Sequence, residues 1–96
     1  MDRRILKVLA LVVLFSLTLS GCYYWSARKE MKEAAMLVEQ LKAADGPNKV
    51  PYEYTSAEKF LEISRLEYDS SDYKGAHKFA TVSKAKTQEG LSQVKK

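Results

Sequence analysis

Side chains able to do chemistry are few in this chain. It holds one cysteine, Cys22, one histidine, His77, and two carboxylates four residues apart, Glu58 and Glu62, at a spacing that shares one helix face. A lone thiol closes no internal disulfide, and one imidazole without neighbouring thiols or carboxylates makes no metal-ligating set. His77 stands between Ala76 and Lys78 and reads as a solvent-facing helix residue. Glu58 and Glu62 could share a proton or a cation, but Lys59 and Arg65 stand among them, and the group reads as an ordinary charged face. No phosphate-cradling glycine loop and no nucleophile elbow appears. No catalytic residue, metal or dissociable cofactor is therefore expected, and Cys22 is the one side chain whose surroundings suggest a reaction.

Those surroundings begin at the first residues. Arg3, Arg4 and Lys7 form a positive region, and residues 8–19 are apolar except for Ser16 and Thr18, the pattern of an export signal. About a dozen apolar residues fall short of the roughly 20 that cross a bilayer, so a permanent transmembrane segment is the weaker reading. The chain has 96 residues, of which 46% are apolar, with 16 Lys+Arg against 12 Asp+Glu and an isoelectric point near 9.2. Without residues 1–21 the remainder is too short and too rich in alanine to build a deep catalytic cleft. The expected protein is not an enzyme.

Leu19-Ser20-Gly21-Cys22 resembles a bacterial lipobox: an aliphatic residue, two small ones and a cysteine, directly after the apolar stretch. The resemblance implies that Leu19, Ser20 and Gly21 are recognised by signal peptidase II, and that the Cys22 thiol receives a diacylglyceryl group by thioether linkage. The freed amine is then often acylated. Two or three acyl chains give a stable anchor where one gives only marginal membrane binding. An Asp after the cysteine would resemble the inner-membrane retention signal of enteric bacteria; Tyr23 occupies that position, which implies the periplasmic face of the outer membrane.

The elements that follow are helical. Ala27, Met31, Ala34, Val38 and Leu41 recur at three- and four-residue intervals, predicting an amphipathic helix over about 26–44, stopped by Asp45-Gly46-Pro47-Asn48 with Gly46 as its C-terminal cap. Val50-Pro51-Tyr52 is expected to be extended, and the Thr55/Glu58 capping box predicts a second helix over 55–69. Its apolar face carries Ala57, Phe60, Leu61, Ser64 and Tyr68, widened by Ile63 and Leu66. Ser70-Ser71-Asp72 offers a break and a new cap, and Ala76, Ala80, Ser83, Thr87, Gly90, Leu91 and Val94 mark a third helix over 72–94, whose last turn Gly90 should loosen. The predicted class is all-α, with residues 22–25 as anchor and linker and 26–96 as one small helical hairpin or three-helix bundle.

Residues 50–85 resemble a family of small bacterial envelope lipoproteins that carry an uncharacterised domain built from a helix pair like that of a tetratricopeptide repeat. The matching residues are Pro51-Tyr52-Glu53-Tyr54, Ala57-Glu58-Lys59-Phe60-Leu61, and Asp72-Tyr73 followed by Ala76, Ala80 and Ser83. A single repeat makes no solenoid. The resemblance implies an envelope location and close helix packing, and it brings no catalytic residues.

Tyr52, Tyr54, Tyr68 and Tyr73 gather around the second helix and form a candidate partner face, since tyrosine couples apolar area to a hydroxyl; the alternative is that they close the ends of the bundle. Tyr23, Tyr24 and Trp25 suit the headgroup level of a membrane. Residues 72–96 hold six Lys against two acidic residues, while 46–71 hold three basic against five acidic. For an exported chain nucleic acid is excluded as a partner, and another envelope protein, lipid headgroups or peptidoglycan remain. The expected function is a lipid-anchored interaction or assembly module. The alternative is a structural tether to peptidoglycan through the terminal Lys96, whose position is similar to the attachment residue of the major outer-membrane lipoprotein.

Overall fold

A computed structural model describes residues 2–96, and side chains throughout except those of residues 16–22. The described residues form four helices and no strand: α1 (Arg3–Ala43), α2 (Gly46–Lys49), α3 (Pro51–Asp69) and α4 (Tyr73–Val94). The all-α expectation holds, and α1, α3 and α4 make a three-helix bundle in which α4 packs against both of the others. Ser64 of α3 meets Ala76 of α4 and Ala57 meets Ser83, so these two helices are antiparallel. On the other side Glu30 meets Lys84 and Leu41 approaches Gly90, so α1 and α4 run parallel.

Three boundaries differ from the reading of the sequence. The first amphipathic helix does not start near residue 26; it continues without a break from the apolar segment, capped at its start by the Asp2 carboxylate, which accepts from the Arg4 amide. No proline lies within it, and a single glycine costs only about 1 kcal/mol, too little to break a helix that tertiary contacts hold further on. The left-handed residue that ends α1 is Asp45 (φ 66°), not Gly46. Asn48 fixes that turn by donating to the Asp45 carboxylate at 2.7 Å. Gly46 is needed for a different reason, because a Cβ there would lie 2.6 Å from Leu41 Cγ. The third difference is the start of α3. Pro51 occupies its first turn, where its fixed φ suits the helix and its missing N–H is no loss, so only Val50 departs from helical geometry and Thr55 is interior. At the following turn the expectation holds: Ser71 is left-handed and the Asp72 carboxylate caps α4 by accepting from the Gly75 amide at 2.9 Å.

The core is made of small residues. Ala27, Ala34, Val38 and Leu41 of α1 meet Ala57, Leu61 and Ser64 of α3 and Ala76, Ala80, Ser83 and Thr87 of α4, all buried. Leu66, expected to widen the buried stripe, is exposed instead, because it falls on the far side of α3 from both neighbours. Small side chains let helix backbones approach, and the approach is used. Ser64 Oγ donates to the Ala76 carbonyl and Ser83 Oγ to the Ala57 carbonyl, each at 2.6 Å. Gly90 does not loosen α4 as expected. It is buried where three helices converge, with no room for a Cβ between Leu41 and Glu53.

The α3–α4 pair also repeats in sequence. Ala57, Lys59, Phe60 and Ser64 recur 19 positions later as Ala76, Lys78, Phe79 and Ser83, with Ile63 answered by Val82. Antiparallel packing then places equivalent residues against each other about a local two-fold axis. Phe60 and Phe79 stack at 6.2 Å with 11° between their planes, a kind of pair worth about 0.5–1.5 kcal/mol beyond its buried area.

Candidate functional site

Because α4 fills one side of the bundle, α1 and α3 are left with an open groove of about 370 Å³ between them. Val38 and Leu61, both buried, and half-buried Ala35 form its floor. Glu39 from α1, and Glu58, Glu62 and Arg65 from α3, form its exposed walls. Each α3 wall residue lies three or four positions from the next, the spacing that keeps them on one helix face beside Leu61. The sequence reading treated Glu58 and Glu62 as an ordinary charged face; in the fold they share the rim of an apolar trough with Glu39 from another helix.

Tyr54 lies one turn before Glu58 on α3. Its hydroxyl donates a short hydrogen bond to Glu58 Oε1. That bond to a carboxylate, reinforced by partial burial, pushes the Tyr54 phenol up to about 12. The bond restrains the Glu58 carboxylate in the groove wall. A trough with an apolar floor, three carboxylates and one guanidinium can accept hydrogen bonds from cationic groups while covering an aliphatic surface.

The opposite seam, between α1 and α4, is closed by charge. Lys84 Nζ lies 2.6 Å from Glu33 Oε2 and 3.0 Å from Glu30 Oε2. The ammonium holds the Glu33 carboxyl below its ordinary value, and the two carboxylates raise Lys84.

The four tyrosines expected to form one face do not. Tyr52 and Tyr54 lie in the first turn of α3 and Tyr68 in its last, roughly 21 Å apart at 1.5 Å per residue. Tyr52 is exposed, with Lys86 Nζ 5.6 Å from its ring centroid. Tyr68 and Tyr73 instead join Tyr24 at the end of the bundle from which the apolar part of α1 departs. Ring centroids lie 5.7 Å apart for Tyr24 and Tyr68, 5.1 Å for Tyr24 and Tyr73, and 5.3 Å for Tyr68 and Tyr73. The Tyr68 hydroxyl and the Arg28 guanidinium hold the Tyr24 phenol below its ordinary value, and Tyr68 is raised in return. His77, read as solvent-facing, is half-buried and meets the Tyr23 ring edge-on at 6.2 Å. At the same end the Asp72 carboxylate, held low by the Gly75 amide, raises its neighbour Glu67.

The side chains of Leu19, Ser20, Gly21 and Cys22 lie outside the described residues. No group of His, Cys, Asp and Glu able to hold a metal ion occurs among the described residues, and none of their helices is long and apolar enough to cross a membrane. Comparison with protein-family models, curated proteins and solved structures returned no match.

Proposed function

We propose that this protein is a non-enzymatic lipoprotein of the bacterial envelope, held by a diacylglyceryl group on Cys22 at the periplasmic face of the outer membrane. In this reading it serves as a docking or assembly module. The address rests on the lipobox pattern at residues 19–22. The docking role rests on one observation, the groove whose apolar floor is rimmed by Glu39, Glu58 and Glu62. An amphipathic segment fits this shape if it offers aliphatic side chains to Val38 and Leu61 and Lys or Arg to the rim. The close antiparallel pairing of α3 and α4, with Ala76, Ala80 and Ser83 buried, supports the same role by holding the α3 wall of the groove in place.

A photo-crosslinking amino acid at Glu62 in living cells tests this reading. It should join a discrete membrane-associated protein, and Glu39→Lys with Glu58→Lys should abolish the adduct while helix content is kept. Equal labelling from Gln88, which lies on the α1–α4 face, would show that the groove is not the docking site.

A second reading, the peptidoglycan tether, is favoured by the direction of α4. This helix runs away from the end where the apolar part of α1 departs, so Lys96 lies exposed at the opposite end. Mass spectrometry of muramidase-released peptides that found no Lys96 cross-link would remove it.

A further inference from the structure

Five side chains from three helices, Tyr23, Trp25, Leu66, Tyr68 and Tyr73, mark one end of the bundle. Tyr24 binds that end together, touching Trp25, Tyr68 and Tyr73 with its ring. Trp25 is 69% exposed, Leu66 60% and Tyr23 37%. This is the end at which α1 carries Cys22, the residue that bears the lipid in the proposed function, directly before Tyr23. Residues 22–43 belong to one unbroken helix, so a lipid on Cys22 turns this end of the domain toward the bilayer.

We propose that this aromatic end rests in the headgroup layer of the bilayer. The helices then stand along the membrane normal and the α1–α3 groove opens sideways, clear of the lipid. The inference rests on the lipid-anchored reading and adds to it an orientation and a second contact, through α3 and α4. Aromatic rings with a polar tip or edge are favoured at that depth, where one side is apolar and the other wet. The turn between α3 and α4 brings Glu67, Asp69 and Asp72 to the same end as Arg28, Lys74 and Lys78. With both signs present the contact needs no anionic lipid, and raising the salt should leave it in place.

The test uses the acylated chain that begins at Cys22, in phosphatidylethanolamine/phosphatidylcholine vesicles with bromines near the top of the acyl chains. Trp25 is the sole tryptophan, so in a Trp25→Phe chain a new indole reports its own depth. The indole of Tyr73→Trp should be quenched at least twofold and blue-shifted, that of Tyr68→Trp likewise, and that of Tyr52→Trp at the far end should be unaffected. Circular dichroism checks that each variant keeps its helices. Three outcomes overturn the orientation while leaving the anchor standing, provided the chain floats with the vesicles. In the first, all three indoles are unquenched, which means the domain stands off the bilayer. In the second, all three are quenched alike, which means it lies on its side. In the third, Tyr73→Trp is blue-shifted without bromine quenching, which means protein, such as a second copy, covers this end. A chain that fails to float overturns the anchor and the orientation with it.

Discussion

Ser64 and Ser83 make the same contact in opposite directions. Each donates its hydroxyl across the α3–α4 seam to the carbonyl of the alanine that stands seven residues before the other, at the same 2.6 Å. The carbonyls of Ala57 and Ala76 are exposed to this approach because the side chains around them are small and fully buried. The two bonds fix register, since a slip of one turn would move both hydroxyls away from both acceptors.

Ser64→Ala and Ser83→Ala should therefore destabilise the domain by similar amounts, about 1 kcal/mol each, the net worth of a typical buried hydrogen bond. The alanine carbonyls keep their intrahelical partners, so no buried group is orphaned. Urea melts should show the two losses matched, with the exposed Ser92→Ala within about 0.5 kcal/mol of the parent. A serine variant as stable as the parent would mean that the contact carries no stability.

Gly90→Val should cost about 1–3 kcal/mol, although valine is a better helix former than glycine. A Cβ at this position would lie 2.9 Å from Leu41 Cδ2 and 3.2 Å from Glu53 Cβ, so the fully buried Leu41 side chain must shift and Glu53 must give by a few tenths of an ångström, before the valine methyls are added. An increase in thermal stability would show that propensity outweighs packing where the three helices converge.

The Lys84 clamp gives stability a dependence on pH at both extremes. Glu33 is held below its ordinary 4.5, so its contribution is present above that pH and lost as pH falls through the lowered value. Lys84 is raised above 10.5, so its contribution is present below that pH and lost as pH rises through the raised value. Lys84→Met should remove both limbs. It also leaves Glu30 and Glu33 facing each other three residues apart, so that the variant gains stability on acidification where the parent loses it. Thermal melts across the acid range compare the two slopes, and parallel slopes would contradict the clamp.

Tyr54 should ionise late, near pH 12, because its proton is held by Glu58, while Tyr24 should ionise early. The bond favours the neutral phenol, so its contribution to stability is present below pH 10 and lost as pH rises toward 12. Ultraviolet absorbance during alkaline titration should lose its step near pH 12 in Tyr54→Phe. A step there that survives this substitution belongs to another tyrosine and removes the argument that Glu58 is restrained by Tyr54.

Much of the fold is legible in the sequence because helix periodicity is a local signal. Ala27, Ala34, Val38 and Leu41, and the stripe from Ala76 to Gly90, are buried as their spacing requires. Pro51 misled because two opposed rules act at one residue. It drives the residue before it out of helical geometry, yet suits the first turn of the helix that follows, and the capping box at Thr55 suggested a later start. The groove could not be read from any one helix. Its existence depends on α4 packing against both α1 and α3, which pulls Glu39 opposite Glu58 and Glu62. Nor could tyrosine spacing show that Tyr68 belongs with Tyr24, since that contact joins the end of one helix to the middle of another. One available signal was missed: the recurrence of Ala-x-Lys-Phe in α3 and α4, each followed four residues later by serine, already announces a symmetric helix pair.

The proposed function depends first on attachment to the membrane through Cys22, and the intact mass of the protein purified from its own membranes decides it. The expected native protein begins at Cys22 and is heavier than residues 22–96 by a diacylglyceryl group with or without a further acyl chain, and the Cys22→Ser chain keeps residues 1–21 and carries no lipid. A native protein that retains residues 1–21 with an unmodified Cys22, or a Cys22→Ser protein processed like the parent, would contradict it.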